Sequence, residues 1–145
     1  MNYTYISNSA ENTLTFAKNL AAKLKPKDVI VLTGELGSGK TKFVEGILSY
    51  FNLQDEISSP TFTIVNEYQT TKFPIYHFDV YRISDPEEMY EIGFEEYIEG
   101  EGVCFIEWAN LIEELLPEQY TELHIDKDLS KGFDYRLITV EQVQR

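Results

Sequence analysis

Apolar and polar positions follow two periods along this chain, and each change of period marks a new element. "YTYI" (3–6) alternates like a short strand. "SNSAEN" then supplies capping residues for a helix running to about Leu24, with Leu14, Ala17, Leu20, Ala21 and Leu24 along one face. "KPKD" interrupts that pattern. "VIVLT" (29–33) is continuously apolar, as suits a strand buried on both faces. "KTKFVEGILSYF" returns to a helical period through Phe43, Ile47 and Phe51.

The second half is richer in strands. "FTIVNEY" (62–68) and "PIYHFDVY" (74–81) read as neighbouring strands joined by the polar turn "QTTK". "DPEEMYEIG" (85–93) has Asp at a cap, Pro at the first helical position and acids in the first turn, which predicts a helix. "VCFIEW" (103–108) is a further buried strand, followed by a short helix near 109–116 that stops at Pro117. "TELHI" (121–125) and "YRLITV" (135–140) are the last strands. Helix and strand alternate early and strands dominate later, the pattern of an α/β layered sheet with some antiparallel members.

At 145 residues the chain is one domain's worth, residues 1–145. No apolar run approaches the ~18 residues of a membrane span. "MNYTYISNSAENT" lacks a basic and then apolar leader, so the expected location is the cytoplasm. The one cysteine, Cys104, excludes an internal disulfide. His77 and His124 have no ligand partner at zinc spacing. The charge is more telling: 25 acidic residues stand against 12 basic, a net charge of −13. Direct nucleic-acid binding leaves a basic footprint, and this chain carries the opposite. An acidic surface suits a basic protein partner, although it also serves solubility alone.

The chemistry is concentrated in "GELGSGKT". Gly34, Gly39, Lys40 and Thr41 fill every fixed position of G-x-x-x-x-G-K-[ST]. Glycines let backbone N–H groups of the loop, over Glu35, Leu36, Gly37, Ser38 and Gly39, turn inward around phosphates. Lys40 reaches the β/γ-phosphates and the Thr41 hydroxyl is a Mg²⁺ ligand. The following helix presents its positive end to the same anion. ATP and Mg²⁺ are the expected cofactors, on a P-loop NTPase-like three-layer sandwich. Its central mixed, mainly parallel sheet of about seven strands is flanked by helices.

Such a loop needs an acid at the end of a neighbouring buried strand. "VCFIE" ends in Glu107 and "PIYHFD" ends in Asp79. Either one taken alone also reads as a solvent-facing acid at a sheet rim. In "SSPTFTIVNEY", Thr61 stands where nucleotide switches place a γ-phosphate sensor, although an ordinary turn stiffened by proline reads the same way. Trp108 is an aromatic at the mouth of this site, fit to shield a nucleotide, meet a partner or simply line the rim.

"GELGSGKT", "SPTFTIVNEY", "YHFDVYR" and "FIEW", in that order, resemble the TsaE (YjeE) family of small bacterial ATPases of tRNA threonylcarbamoyladenosine biosynthesis. The resemblance covers about residues 5 to 140. It implies an ATPase subunit working with two sugar-kinase-like proteins, one of which modifies the adenosine 3′ of the anticodon in tRNAs reading ANN codons. It also implies Lys40 and Thr41 on phosphate and Mg²⁺, Thr61 as a switch residue and Asp79 as the essential acid near the γ-phosphate. Glu107 becomes the metal-side acid, and Trp108 falls beside the nucleotide. By the same analogy Ala10, within Ser9 to Glu11, and Phe133 flank the adenine, although Phe133 also reads as a plain loop aromatic. The chain departs at Ala109, where proline is frequent after "EW".

Two other readings share the loop. A small-molecule kinase needs a second pocket and usually several arginines in a closing lid; this chain has only Arg82, Arg136 and Arg145. A GTP switch needs an Asn/Thr-Lys-x-Asp segment, and the nearest approach, "TKFP" at 71–74, has no acid to read guanine. With Arg82 and Arg136 the only internal candidates for an arginine finger, slow hydrolysis by the isolated protein is expected, with stimulation in a complex.

Overall fold

The computed structural model describes residues 2–35, 37–58, 60 and 63–145. Among these, the strands are β1 (Tyr3–Ser7), β2 (Val29–Thr33), β3 (Val65–Gln69), β4 (Pro74–Asp79), β5 (Val103–Glu107), β6 (Gln119–Lys127) and β7 (Arg136–Gln144). They form one sheet in the order β1-β7-β6-β2-β5-β4-β3. The four central strands β6, β2, β5 and β4 are mutually parallel. The β1–β7, β6–β7 and β3–β4 pairs are antiparallel. Hence β1, β2, β4, β5 and β6 point one way and β3 and β7 the other. The parallel centre is where the apolar runs were continuous: β2 and β5 are buried almost throughout, because helices cover both of their faces.

On one face pack α1 (Ala10–Ala21) and α2 (Lys40–Tyr50), joined to the sheet through Phe16, Phe43, Val44, Ile47, Ile30, Leu32, Phe105 and Leu123. The two helices approach closely at Gly46. A Cβ there would lie 2.5 Å from the Ala17 Cβ and 3.0 Å from the Leu14 carbonyl oxygen. The other face is covered by α3 (Glu88–Glu91), α4 (Phe94–Glu99) and the 3-10 turns of Ala109–Leu115, with Met89, Phe94 and Ile112 on Val31, Phe78 and Ile106.

Local chemistry explains most boundaries. The Ser9 side chain accepts from the Asn12 N–H at 3.0 Å and starts α1. That helix ends at Ala21, short of the expected Leu24, its last carbonyls taken by tighter bonds from Lys23 and Leu24. The helix expected over 85–93 is a correction: α3 spans four residues only. Asp85, expected at the cap, stands two residues before the Glu87 cap and makes a reciprocal pair there, Asp85 Oδ1 accepting from Glu87 N and Glu88 Oε2 accepting from Asp85 N, both at 3.0 Å. Gly93, at φ 76°, then takes a left-handed turn that ends the element and begins α4. The segment 109–116 is 3-10 rather than α, with Ile112 outside helical geometry. The last two strands are longer than their alternation showed. They pair with each other from Gln119↔Gln144 to Lys127↔Arg136.

Candidate nucleotide site

The segment after β2 does what its glycines allow. Gly37 and Gly39 both have positive φ, 79° and 110°. Gly39 stands at the N-terminal cap of α2 with no side-chain cap. Lys40 and Thr41 open the helix, so first-turn N–H groups and the positive end of the helix dipole face the loop. Leu36 and Thr61 lie outside the described residues; Ser58 and Pro60, beside Thr61, do line the site.

A cleft of about 440 Å³ opens above the C-terminal ends of β4 and β5, bordered by Gly37, Gly39, Lys40, Thr41, Asp79, Glu107 and Trp108. The two acids come together through strand register. β4 and β5 are parallel neighbours, and Asp79 pairs with Glu107 directly across the ladder. Both carboxylates are thereby presented at the rim of the sheet on the side where α2 begins. The Leu32↔Glu107 pairing ties the same position to β2, just ahead of the loop. Asp79 Oδ1 accepts from the Tyr81 N–H at 3.0 Å.

Lys40 donates to the Gly34 carbonyl at 3.0 Å. Its ammonium also lies 3.7 Å from Glu107 Oε1 and 5.4 Å from the Trp108 ring centre. Glu107 is 9% exposed. Its other oxygen, Oε2, accepts from His77 Nε2 at 2.7 Å. Burial alone would raise the Glu107 pKa, but the hydrogen bond and attraction of His77, then Lys40, outweigh it and hold it below its ordinary value. The acid is therefore a carboxylate at neutral pH, largely buried at the floor of the cleft.

His77 is the site residue that sequence reading passed over. Strand alternation was the available signal: two residues before Asp79, its side chain emerges on the same face of β4. It lines the cleft, it is 3% exposed, and its Nδ1 is buried with no hydrogen-bond partner among the described residues. Trp108 is held at the mouth in a left-handed conformation, φ 63°, and its ring contacts Tyr81 at 4.7 Å. Ser38 is buried inside the loop, whereas Glu35 is exposed and its carbonyl accepts from Ser38 N. Ala10 lines a smaller cleft of about 200 Å³ on the far side of Gly39, with Thr13, Lys42, Asp134 and Arg136. Phe133 borders neither cleft; its ring is 82% exposed on the β6–β7 turn. His124, by contrast, bonds Thr33 and Asp126 on the opposite face of the sheet.

The donors suit a hard cation. Mg²⁺ keeps several waters and leans on one or two carboxylates plus substrate phosphates, and Thr41, Asp79 and Glu107 offer oxygen only.

A buried strand leading through a glycine loop into a helix with Lys-Thr at its start, beside acids on the adjacent parallel strands, is the construction of P-loop NTPase-like folds. The chain is of that class. It is more particular than that. The family model described as "Threonylcarbamoyl adenosine biosynthesis protein TsaE" matches residues 7–136, and the chain belongs to that family. A relative from Bacillus subtilis (strain 168), the tRNA threonylcarbamoyladenosine biosynthesis protein TsaE, is 44% identical over 133 residues, 92% of this chain and 81% of that one. The protein of the same name from Rickettsia bellii is 44% identical over 126 residues, covering 86% and 87%. The crystal structure of Bacillus subtilis YdiB superposes with a TM-score of 0.78 at 37% identity, covering all of this chain and 87% of that one.

Proposed function

We propose that the protein is an ATP-hydrolysing accessory subunit of tRNA threonylcarbamoyladenosine formation. It acts through two sugar-kinase-like partner proteins, which hold the tRNA and one of which modifies the adenosine 3′ of the anticodon in ANN-reading tRNAs. The observation that carries the reading is the Asp79↔Glu107 register, which sets two carboxylates opposite Lys40 and Thr41 around one cleft.

In the proposed reaction Lys40 neutralises charge on the β/γ-phosphates while loop N–H groups hold them. Thr41 and Glu107 would hold Mg²⁺, which as a Lewis acid supplies further stabilisation of the phosphate charge. Asp79 orients water for in-line attack and accepts its proton. The new bond joins the water oxygen to the γ-phosphorus, and the bond to the β,γ-bridging oxygen breaks, releasing ADP and phosphate. His77 holds the Glu107 carboxylate in one orientation, and Trp108 with Tyr81 shields the mouth. No internal arginine is assigned to the γ-phosphate, so turnover by the isolated chain is slow and rises in the complex.

The test is ATP turnover by the purified protein, alone and with its two partners, beside Asp79→Ala and Glu107→Ala. Slow turnover that increases with partners, and falls at least about a hundredfold in both variants, is the expected result; a positioned general base has effects of that size, and loss of a Mg²⁺ carboxylate removes charge stabilisation at the same phosphate. Fast unaided turnover would remove the accessory role. Wild-type rates in both variants would remove these acids from the chemistry.

A further inference from the structure

The turn between β6 and β7 lies against the phosphate loop, tied to it by Arg136 and with Lys127 beside it. Lys127 and Arg136 are cross-strand partners at the end of the β6–β7 ladder. Ile125 and Ile138, the neighbouring residues of the same phase, are buried in the core beneath α1 and α2. Strand alternation therefore sends both long side chains to the α2 side of the sheet. Arg136 Nε donates to the Ser38 carbonyl at 2.6 Å, and its Nη1 donates to Phe133 O at 3.0 Å and Tyr135 O at 2.7 Å. Lys127 Nζ lies 3.6 Å from where a Cβ on Gly37 would stand, and Arg136 Nε lies 3.6 Å from the same point on Gly39.

We propose that Arg136 is a positioning residue that sets the anion-binding geometry of the phosphate loop, while Lys127 adds positive charge on the same side. The proposal rests on the nucleotide-site reading above. Its physical basis is the planar trans peptide joining Ser38 to Gly39. The C=O and N–H of one such unit point in opposite directions. Holding the Ser38 oxygen toward the guanidinium turns the Gly39 N–H away from it, to serve as a phosphate donor. Gly39, at φ 110°, has a backbone in which this unit flips without Cβ strain, so something other than sterics must choose its orientation. A flipped unit would present a carbonyl oxygen where an anion has to sit. The rigid fork of an arginine, anchored on two carbonyls of the turn, makes that choice before any ligand arrives.

The variants that isolate this keep the side chain as far as the Nε position and remove the rest of the guanidinium. Arg136→Met places a methyl group where Nε was, and Arg136→Gln places an amide nitrogen there without the charge. ADP affinity is read from Trp108 fluorescence, and the Gly39 amide resonance is read in nucleotide-free ¹⁵N spectra. Arg136→Met is expected to weaken ADP binding by about tenfold or more, the worth of a charged hydrogen bond, and to move the Gly39 resonance. Arg136→Gln keeps a donor to Ser38 but neither the charge nor the anchoring on Phe133 and Tyr135, so it is expected to return the resonance toward wild type and to recover part of the affinity. Lys127→Met should leave Gly39 in place and weaken ADP binding by a margin that disappears at high salt. Thermal midpoints of the nucleotide-free variants separate these effects from misfolding. Should Arg136→Met bind ADP as wild type with Gly39 unmoved while Lys40→Ala loses binding, the role of Arg136 is overturned and the nucleotide site stands. Should Lys40→Ala also bind normally, the nucleotide reading falls, and this proposal with it.

Discussion

Two buried groups show how neighbours, rather than residue type, decide behaviour. Glu107 remains a carboxylate inside the protein because His77 and Lys40 hold its two oxygens. His77→Leu leaves that carboxylate buried beside a strand with no ring donor. The expected loss is about 1–3 kcal/mol by urea unfolding, with His77→Gln retaining part of it. The sign of the pH effect follows from the lowered pKa. Glu107's contribution is present at neutral pH and fades on acidification through that lowered value, so His77→Leu should show a shallower acid loss than wild type. Cys104 is the opposite case. Burial pushes its thiol from 9.0 up to about 12. It should resist alkylation at pH 8 in the native protein and react once urea unfolds it. Above pH 9 the unfolded thiol ionises and the folded one does not, so stability falls by up to about 1.4 kcal/mol per pH unit until the folded thiol titrates. Cys104→Ala, compared over the same range, should lack that component.

Among the elements, the α1–α2 contact is the one a helix-propensity argument gets wrong. Alanine is the better helix former by about 1 kcal/mol, yet at Gly46 its methyl group would meet Ala17 and the α1 backbone. Gly46→Ala should therefore destabilise by about 1–3 kcal/mol as the helices are forced apart, seen as a lower thermal midpoint. An unchanged or raised midpoint would mean that α1 gives way freely. The extents of β6 and β7 show where periodicity ceases to carry information. In mid-strand, Glu122, His124, Thr139 and Glu141 line an open polar groove and alternate with the buried Leu123, Ile125, Ile138 and Val140, which is the pattern that was legible. Toward the ends, at Gln119, Asp126, Lys127, Gln142 and Gln144, no buried apolar residue alternates with the polar ones, and the mutual ladder of the two strands keeps them extended. The same limit explains α3: its cap is written locally, but its length is set by the left-handed turn at Gly93.

For the molecule as a whole, the dominant fact is a net charge of −13. Self-repulsion of that size is screened by salt, so the thermal midpoint should rise between low and physiological ionic strength. The isolated protein should also bind tRNA too weakly to titrate by anisotropy at physiological salt. Micromolar binding would contradict a role exercised through partners.

The sequence by itself determined the phosphate loop, because eight consecutive residues carry their own geometry and Lys40 and Thr41 need only a strand before them and a helix after. It determined the two buried central strands for a similar reason, since continuous apolar runs have one stable place in a layered sheet. It nominated Asp79 and Glu107 as separate strand-end acids. That they stand side by side was decided by β4 lying next to β5 in parallel register, a long-range choice invisible to any local window. His77 entered the site on the same ladder. Arg136 reached Ser38 across 98 residues of chain because β7 folds back along β6. Backbone conformation is governed by neighbours in sequence, whereas the meeting of side chains depends on strand order and register, which only the packed sheet sets.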